Sequence, residues 1–106
     1  MSEWTKAATR SQLNPGELVA VDISGRKIAI YNLGGEFYAT DNVCTHAFAL
    51  MSDGFLEGDT IECPLHGGRF NAKTGKGLGP PITCDLKTYP VRVTGDDVEV
   101  DLSSAA

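Results

Sequence analysis

The chain of 106 residues is 42% hydrophobic and 22% charged, enough for one compact core and too short for a second independent one, so a single domain over 1–106 is expected. Nine basic residues against fourteen acidic ones leave a formal net charge of −5, which repels a polyanion and excludes non-specific nucleic-acid binding. No apolar run approaches the ~20 residues that span a bilayer, and 1–10 lacks the basic stretch and apolar core of a secretory leader, so a cytoplasmic protein without membrane contact is expected.

Twelve glycines and five prolines recur at short intervals, and no window of about 11 residues keeps an apolar stripe at i, i+3 and i+4, so helices are not expected. Asn14-Pro15-Gly16 predicts a turn, 17–23 a strand and Ser24-Gly25 a second turn. Over 27–33 a strand places Ile28 and Ile30 on one face and Ala29, Tyr31 and Leu33 on the other. Gly34-Gly35 then opens a hairpin into 36–40. Across 41–82 the alternation fades, and Gly54, Gly58, Gly67, Gly68, Gly75, Gly77 and Gly79 crowd in with Pro64, Pro80 and Pro81. That segment reads as loops arranged around something. Beyond it Tyr89, Val91 and Val93 share a face, Gly95-Asp96-Asp97 turns, and Val98, Val100 and Leu102 line a closing strand. There is no internal repeat and no low-complexity stretch beyond 103–106. The expected fold class is all-β, small antiparallel sheets with one loop-rich insert at about 41–82.

The odd set Cys44, Cys63 and Cys84 makes a poor disulfide framework and suits a reducing compartment and a metal. Each of the two histidines stands beside a cysteine, in Cys44-Thr45-His46 and Cys63-Pro64-Leu65-His66, with 16 residues between His46 and Cys63. Two thiolates and two imidazoles make a four-ligand metal site. A structural zinc finger groups Cys with Cys and His with His, whereas here each loop offers one of each. That order would let a two-iron cluster take both sulfurs on one iron and both nitrogens on the other. On the residues alone, a zinc-stabilised interaction domain stays open.

Cys-x-His followed by Cys-x-x-His at this separation resembles the Rieske family of 2Fe-2S proteins. The resemblance runs from Trp4 through Tyr31, Phe37, Tyr38, Thr40, Asp41, Gly54, Gly67, Phe70 and Gly75 to Pro81, Leu86 and Tyr89-Pro90-Val91. It implies a Rieske-like fold and one Rieske-type 2Fe-2S cluster, with Cys44 and Cys63 on the inner iron and His46 and His66 on the outer iron near the surface. The branch found in cytochrome bc complexes adds a disulfide-linked cysteine in each loop, at the positions of Ala49 and Leu65 here. It also carries serine and tyrosine hydroxyls where this chain has Gly68 and Phe70. Losing two hydrogen-bond donors to sulfur favours the oxidised cluster, so the potential should lie at about −150 mV, near the lower Rieske limit.

Among Rieske proteins the chain looks like the ferredoxin component of bacterial multicomponent aromatic-ring dioxygenases, an electron carrier and not an enzyme. The resemblance implies a ferredoxin reductase, a flavoprotein using NAD(P)H, as donor and a terminal oxygenase as acceptor, with a monomer as the working state. A large oxygenase subunit would need a further mononuclear-iron domain, for which 106 residues leave no room. The small Rieske-like subunit of a nitrite reductase is the alternative, although such chains often lack the full ligand set.

The remaining residues invite blander readings. Cys84 is expected to be a buried thiol in a strand-like context, and Trp4, Phe37, Phe55 and Tyr89 to be sheet packing. Phe48, Leu50 and Met51, with Pro80-Pro81, would shield the cluster or meet a partner. Asp53, Glu57, Asp59 and Glu62 form a solvated acidic run whose sign Arg69, Lys73 and Lys76 blur. Asp41 is expected to accept a loop hydrogen bond.

Overall fold

The computed structural model describes residues 4–45, 49–65, 67–80, 82 and 84–103. Among these residues ten strands follow in chain order: β1 Trp4–Thr9, β2 Leu18–Ile23, β3 Arg26–Leu33, β4 Glu36–Asp41, β5 Phe55–Glu57, β6 Thr60–Glu62, β7 Arg69–Asn71, β8 Thr88–Tyr89, β9 Val91–Thr94 and β10 Asp97–Asp101. They form three antiparallel sheets, β1-β10-β9, β2-β3-β4-β8 and β5-β6-β7. Helix among the described residues is confined to two 3-10 turns, Arg10–Gln12 and Met51–Asp53. No helix of the described residues is long and apolar enough to cross a membrane.

The expected strands over 17–23, 27–33 and 36–40 appear as β2, β3 and β4, displaced by one residue at most at each end. Two-residue turns join them. Between Ile23 and Arg26 both central residues, Ser24 and Gly25, have positive φ, the geometry whose twist matches antiparallel strands. Gly34 and Gly35 repeat it between Leu33 and Glu36, at φ 67° and 100°.

Strand β3 divides the interior into two cores, because its alternation feeds both sides. Ile28 and Ile30 join Leu13, Ile23, Ala39, Tyr89, Val98 and Val100 on one face. Ala29, Tyr31 and Leu33 join Cys44, Met51, Ile61, Cys63, Phe70, Ala72 and Leu86 on the other. Both ligand-loop cysteines therefore lie in the second core.

Two expectations need correction, and one strand went unforeseen. The segment 41–82 is not loop alone: β5, β6 and β7 form a sheet within it. Three-residue strands are too short to show an alternation, and glycine punctuates them, Gly58 turning the chain between Glu57 and Thr60 at φ 58°. β1 carries no alternating pattern and gave no signal in the sequence. Finally, Tyr89 and Val91 do not continue one strand. Pro90 has no N–H to donate, and the chain changes sheets there: Tyr89 pairs with Ala39, and Val91 with Val100. Tyr89 is consequently buried while Val93 is 40% exposed.

Candidate metal centre

Two loops of equal length carry the cysteines. An isolated antiparallel bridge closes the first, Val43 against Leu50, and the end of the β6–β7 ladder closes the second, Glu62 against Arg69. In each, the residue after the closing position is a cysteine whose N–H reaches back across the loop. Cys44 N–H donates to Ala49 O at 2.9 Å, and Cys63 N–H donates to Gly68 O at 2.6 Å. Cys44 with Ala49 and Cys63 with Gly68 are thus equivalent pairs of one loop design used twice. Beyond the closure, Met51 and Phe70 occupy matching places, and both are fully buried in the core that holds the cysteines.

The design brings two thiols together in dry surroundings. Cys44 is 4% and Cys63 0% exposed, and all three cysteines of the chain stand as thiols. Burial pushes the Cys63 thiol up, the Leu65 N–H directed at its sulfur pulls it down, and the adjacent Cys44 side chain raises it again. Paired soft donors in an apolar pocket fit a thiolate-bound metal centre. Among the described residues no group of three or more His, Cys, Asp or Glu side chains gathers to hold a metal. His46 and His66, expected to complete the set, lie outside the described residues, as do Phe48 and Pro81.

The chain matches the family model for the Rieske 2Fe-2S domain over residues 3–90. It belongs to the Rieske 2Fe-2S family. The ferredoxin component of the naphthalene 1,2-dioxygenase system of Pseudomonas aeruginosa is 50% identical over 101 residues, spanning 95% of this chain and 97% of that one. Among solved structures, the complex of reduced oxygenase and oxidised ferredoxin in carbazole 1,9a-dioxygenase contains a chain of 41% identity and TM-score 0.88, with 92% of each chain covered. A ferredoxin of Sphingomonas yanoikuyae B1 matches with TM-score 0.88 at 38% identity, over 93% of this chain and 98% of that one. The chain is accordingly a Rieske ferredoxin that carries a 2Fe-2S cluster and transfers electrons rather than catalysing a reaction.

Around the Rieske loops several polar residues fasten one segment to another. The Thr45 hydroxyl donates to Cys84 O at 2.9 Å, tying the first loop to the segment that follows Gly79. Tyr31 lies beneath the cysteines with its hydroxyl 2.8 Å from Thr40 Oγ1, whose own proton goes to Asp41 O at 2.9 Å. Burial pushes the Tyr31 hydroxyl up to about 12, against a smaller lowering by Thr40. Asp41 accepts from the Tyr89 hydroxyl, an acceptor as expected, though across strands β4 and β8 and not within a loop. Tyr89 is raised to about 12 by burial first and by the Asp41 carboxylate second, with Arg26 opposing.

The structure sorts the remaining expectations. Cys84 is exposed rather than buried, because 84–87 run irregularly and not as a strand. Phe55 is 65% exposed, since its three-residue strand pairs only with β6 and its side chain lies outside both cores. Trp4 packs partly under Arg92, whose guanidinium lies 4.4 Å from the ring centre, and Phe37 packs against the first core. Met51 is core, while Leu50 is half-buried beside exposed Val43. Two of the four acids are paired: Glu62 with Arg69 at 3.1 Å and Asp59 with Lys73 at 3.6 Å. Asn42, two residues before Cys44 and 2% exposed, was not singled out by any sequence signal.

Proposed function

We propose that a single domain over 1–106 holds its cluster through Cys44, His46, Cys63 and His66. In this reading the protein takes electrons one at a time from a flavin-dependent NAD(P)H reductase. It delivers them, as a cytoplasmic monomer, to the Rieske centre of a terminal aromatic-ring oxygenase. The observation that carries the reading is the pair of equal loops whose buried thiols meet in one core. When bound, the cluster supplies a one-electron couple. The chain supplies the rest: backbone N–H groups fix both cysteines, Met51, Ile61 and Phe70 exclude water beneath them, and exposed Pro64 and Leu65 leave the second loop open to a partner. The full pair of motifs and the 50% identity to a dioxygenase ferredoxin favour this over a nitrite reductase subunit.

Phe70 supports the expected low potential. It is fully buried in the same core as both cysteines and offers no hydroxyl to their sulfurs. Electron paramagnetic resonance of the dithionite-reduced protein, with protein-film voltammetry, tests the reading. A Rieske signal with a couple at about −150 mV is expected. A couple several hundred millivolts higher would move the protein to a quinol-oxidising chain, and a colourless protein binding zinc would overturn the cluster altogether. His66→Cys adds an anionic ligand and should lower the potential; an unchanged potential would remove His66 from the ligand set.

A further inference from the structure

The two loops match in length and closure but differ in what holds their stems. Behind the second loop the ladder continues: Glu62 pairs with Arg69, Ile61 with Phe70 and Thr60 with Asn71, and β5 adds a third strand. Behind the first loop there is no ladder, only the bridge between Val43 and Leu50. The chain diverges there, one arm entering β4 and the other the 3-10 turn at Met51–Asp53. At the point of divergence stands Asn42, in the place that Ile61 occupies behind the second loop. Its backbone O accepts from Met51 N–H at 2.6 Å and its N–H donates to Lys27 O at 2.9 Å. Its side chain bonds Ser52 twice, Nδ2–H donating to Ser52 Oγ at 2.9 Å and Oδ1 accepting from Ser52 N–H at 2.8 Å.

A buried amide that satisfies both its donor and its acceptor on one neighbour fixes that neighbour's position and orientation together. An apolar residue of similar size could fill the space but could not hold residue 52. We propose that Asn42 is a positioning residue for the first ligand loop, its side chain replacing the missing strand ladder and setting the place of Cys44 relative to the second loop. The inference rests on the ligand set proposed above.

The test uses the holoprotein and three variants: Asn42→Ala, Asn42→Asp and Ser52→Ala. Asn42→Ala removes both side-chain bonds, so amide exchange at Cys44 and Met51 should accelerate about tenfold or more, the equivalent of one to two lost hydrogen bonds. The resonance g-values and midpoint potential of the reduced cluster should move with it. Asn42→Asp keeps an acceptor for Ser52 N–H and offers a second to the Ser52 hydroxyl, so g-values and potential should return towards wild type. Ser52→Ala retains its N–H bond and should shift both by less than Asn42→Ala. If Asn42→Ala fails to assemble a cluster, Ser52→Ala alone decides. A fall in melting temperature with g-values and potential unchanged in every cluster-bearing variant would make Asn42 a folding residue only, and would overturn the inference. Absence of a Rieske signal in the wild type would instead overturn the proposed function.

Discussion

The two faces of β3 build cores of different kinds. On the Ile28 and Ile30 face, side chains of the longer strands β2, β3, β4 and β10 meet one another, with Leu13 and Tyr89 filling the rest of the layer. On the Tyr31 face the partners arrive on three-residue strands and loops: Cys44, Met51, Ile61, Cys63 and Phe70. Polar groups are built into this second face and its rim, Tyr31 with Thr40 and Asn42 with Ser52. The first core contains neither cysteine, whereas the second holds Cys44 and Cys63 by the same contacts that fill it. Stability and function are thereby placed on opposite sides of one strand, and substitutions on the two sides should separate them.

The largest expected effect falls on the first core. Ile30 is fully buried, and Ile30→Ala should cost about 4 kcal/mol through lost burial and a residual cavity. Denaturant unfolding would read that loss, while the visible spectrum and potential of the folded fraction should stay those of wild type. A shifted potential would break the comparison by showing that the cores are coupled through β3.

Gly54→Ala acts on the second core. A Cβ there would sit 2.0 Å from Glu62 O, the backbone next to Cys63, so β6 and the second loop must shift. About 3 kcal/mol of destabilisation is expected, together with poor cluster incorporation measured as iron and sulfide per chain. Full incorporation would show that the loop tolerates displacement and that cluster binding does not depend on this close approach.

Tyr31→Phe is smaller, about 1 kcal/mol for one buried hydrogen bond, and it carries a pH signature. The folded Tyr31 hydroxyl is raised from 10.0 to about 12. Below pH 10 folded and unfolded chains both keep that proton, so its contribution is complete. Between pH 10 and 12 the unfolded chain releases the proton and the folded one does not, so stability falls by ~2–3 kcal/mol across that window. Denaturation midpoints at pH 9 and 11 should show a fall that is shallower in Tyr31→Phe. Tyr89, also raised to about 12, contributes to the residual fall.

The first core was nearly all legible in the sequence, since Ile28, Ile30, Val98 and Val100 alternate in strands long enough for a period of two to show. The second was legible only through its chemistry. Cys44 and Cys63 announced themselves by their neighbouring histidines, but β5, β6 and β7 have three residues each and no period to read. Phe55 looked like core by its spacing among the aromatic residues and lies outside it, because that spacing does not say which side of a short edge strand faces inward. Asn42 went unread for a different reason. Its role depends on where Ser52 lies after a loop whose path no local pattern specifies.

Phe70→Tyr sharpens the comparison within the second core without emptying it. Phe70 is fully buried beside both cysteines, so an added hydroxyl must find a partner there or remain unsatisfied. A bond to sulfur would offset the charge gained on reduction and raise the potential by about 60 mV, the one-electron equivalent of ~1.4 kcal/mol. An unchanged potential in voltammetry would mean that the hydroxyl turns away from the sulfurs, and that Phe70 contributes packing alone to the low-potential character.

The smallest effect is expected at Cys84, and it separates main chain from side chain at the edge of the site. Thr45 holds the carbonyl of Cys84, not its sulfur, and the thiol itself is exposed. Cys84→Ser preserves that carbonyl and so should leave the tie to the first loop intact. Stability should change by less than about 0.5 kcal/mol, with visible spectrum and potential unaltered. Thr45→Val is the matching test from the other end: it removes the hydroxyl that makes the tie and should perturb the first loop more than Cys84→Ser does. Equal effects of the two would mean that the sulfur, rather than the backbone beside it, is what the first loop uses.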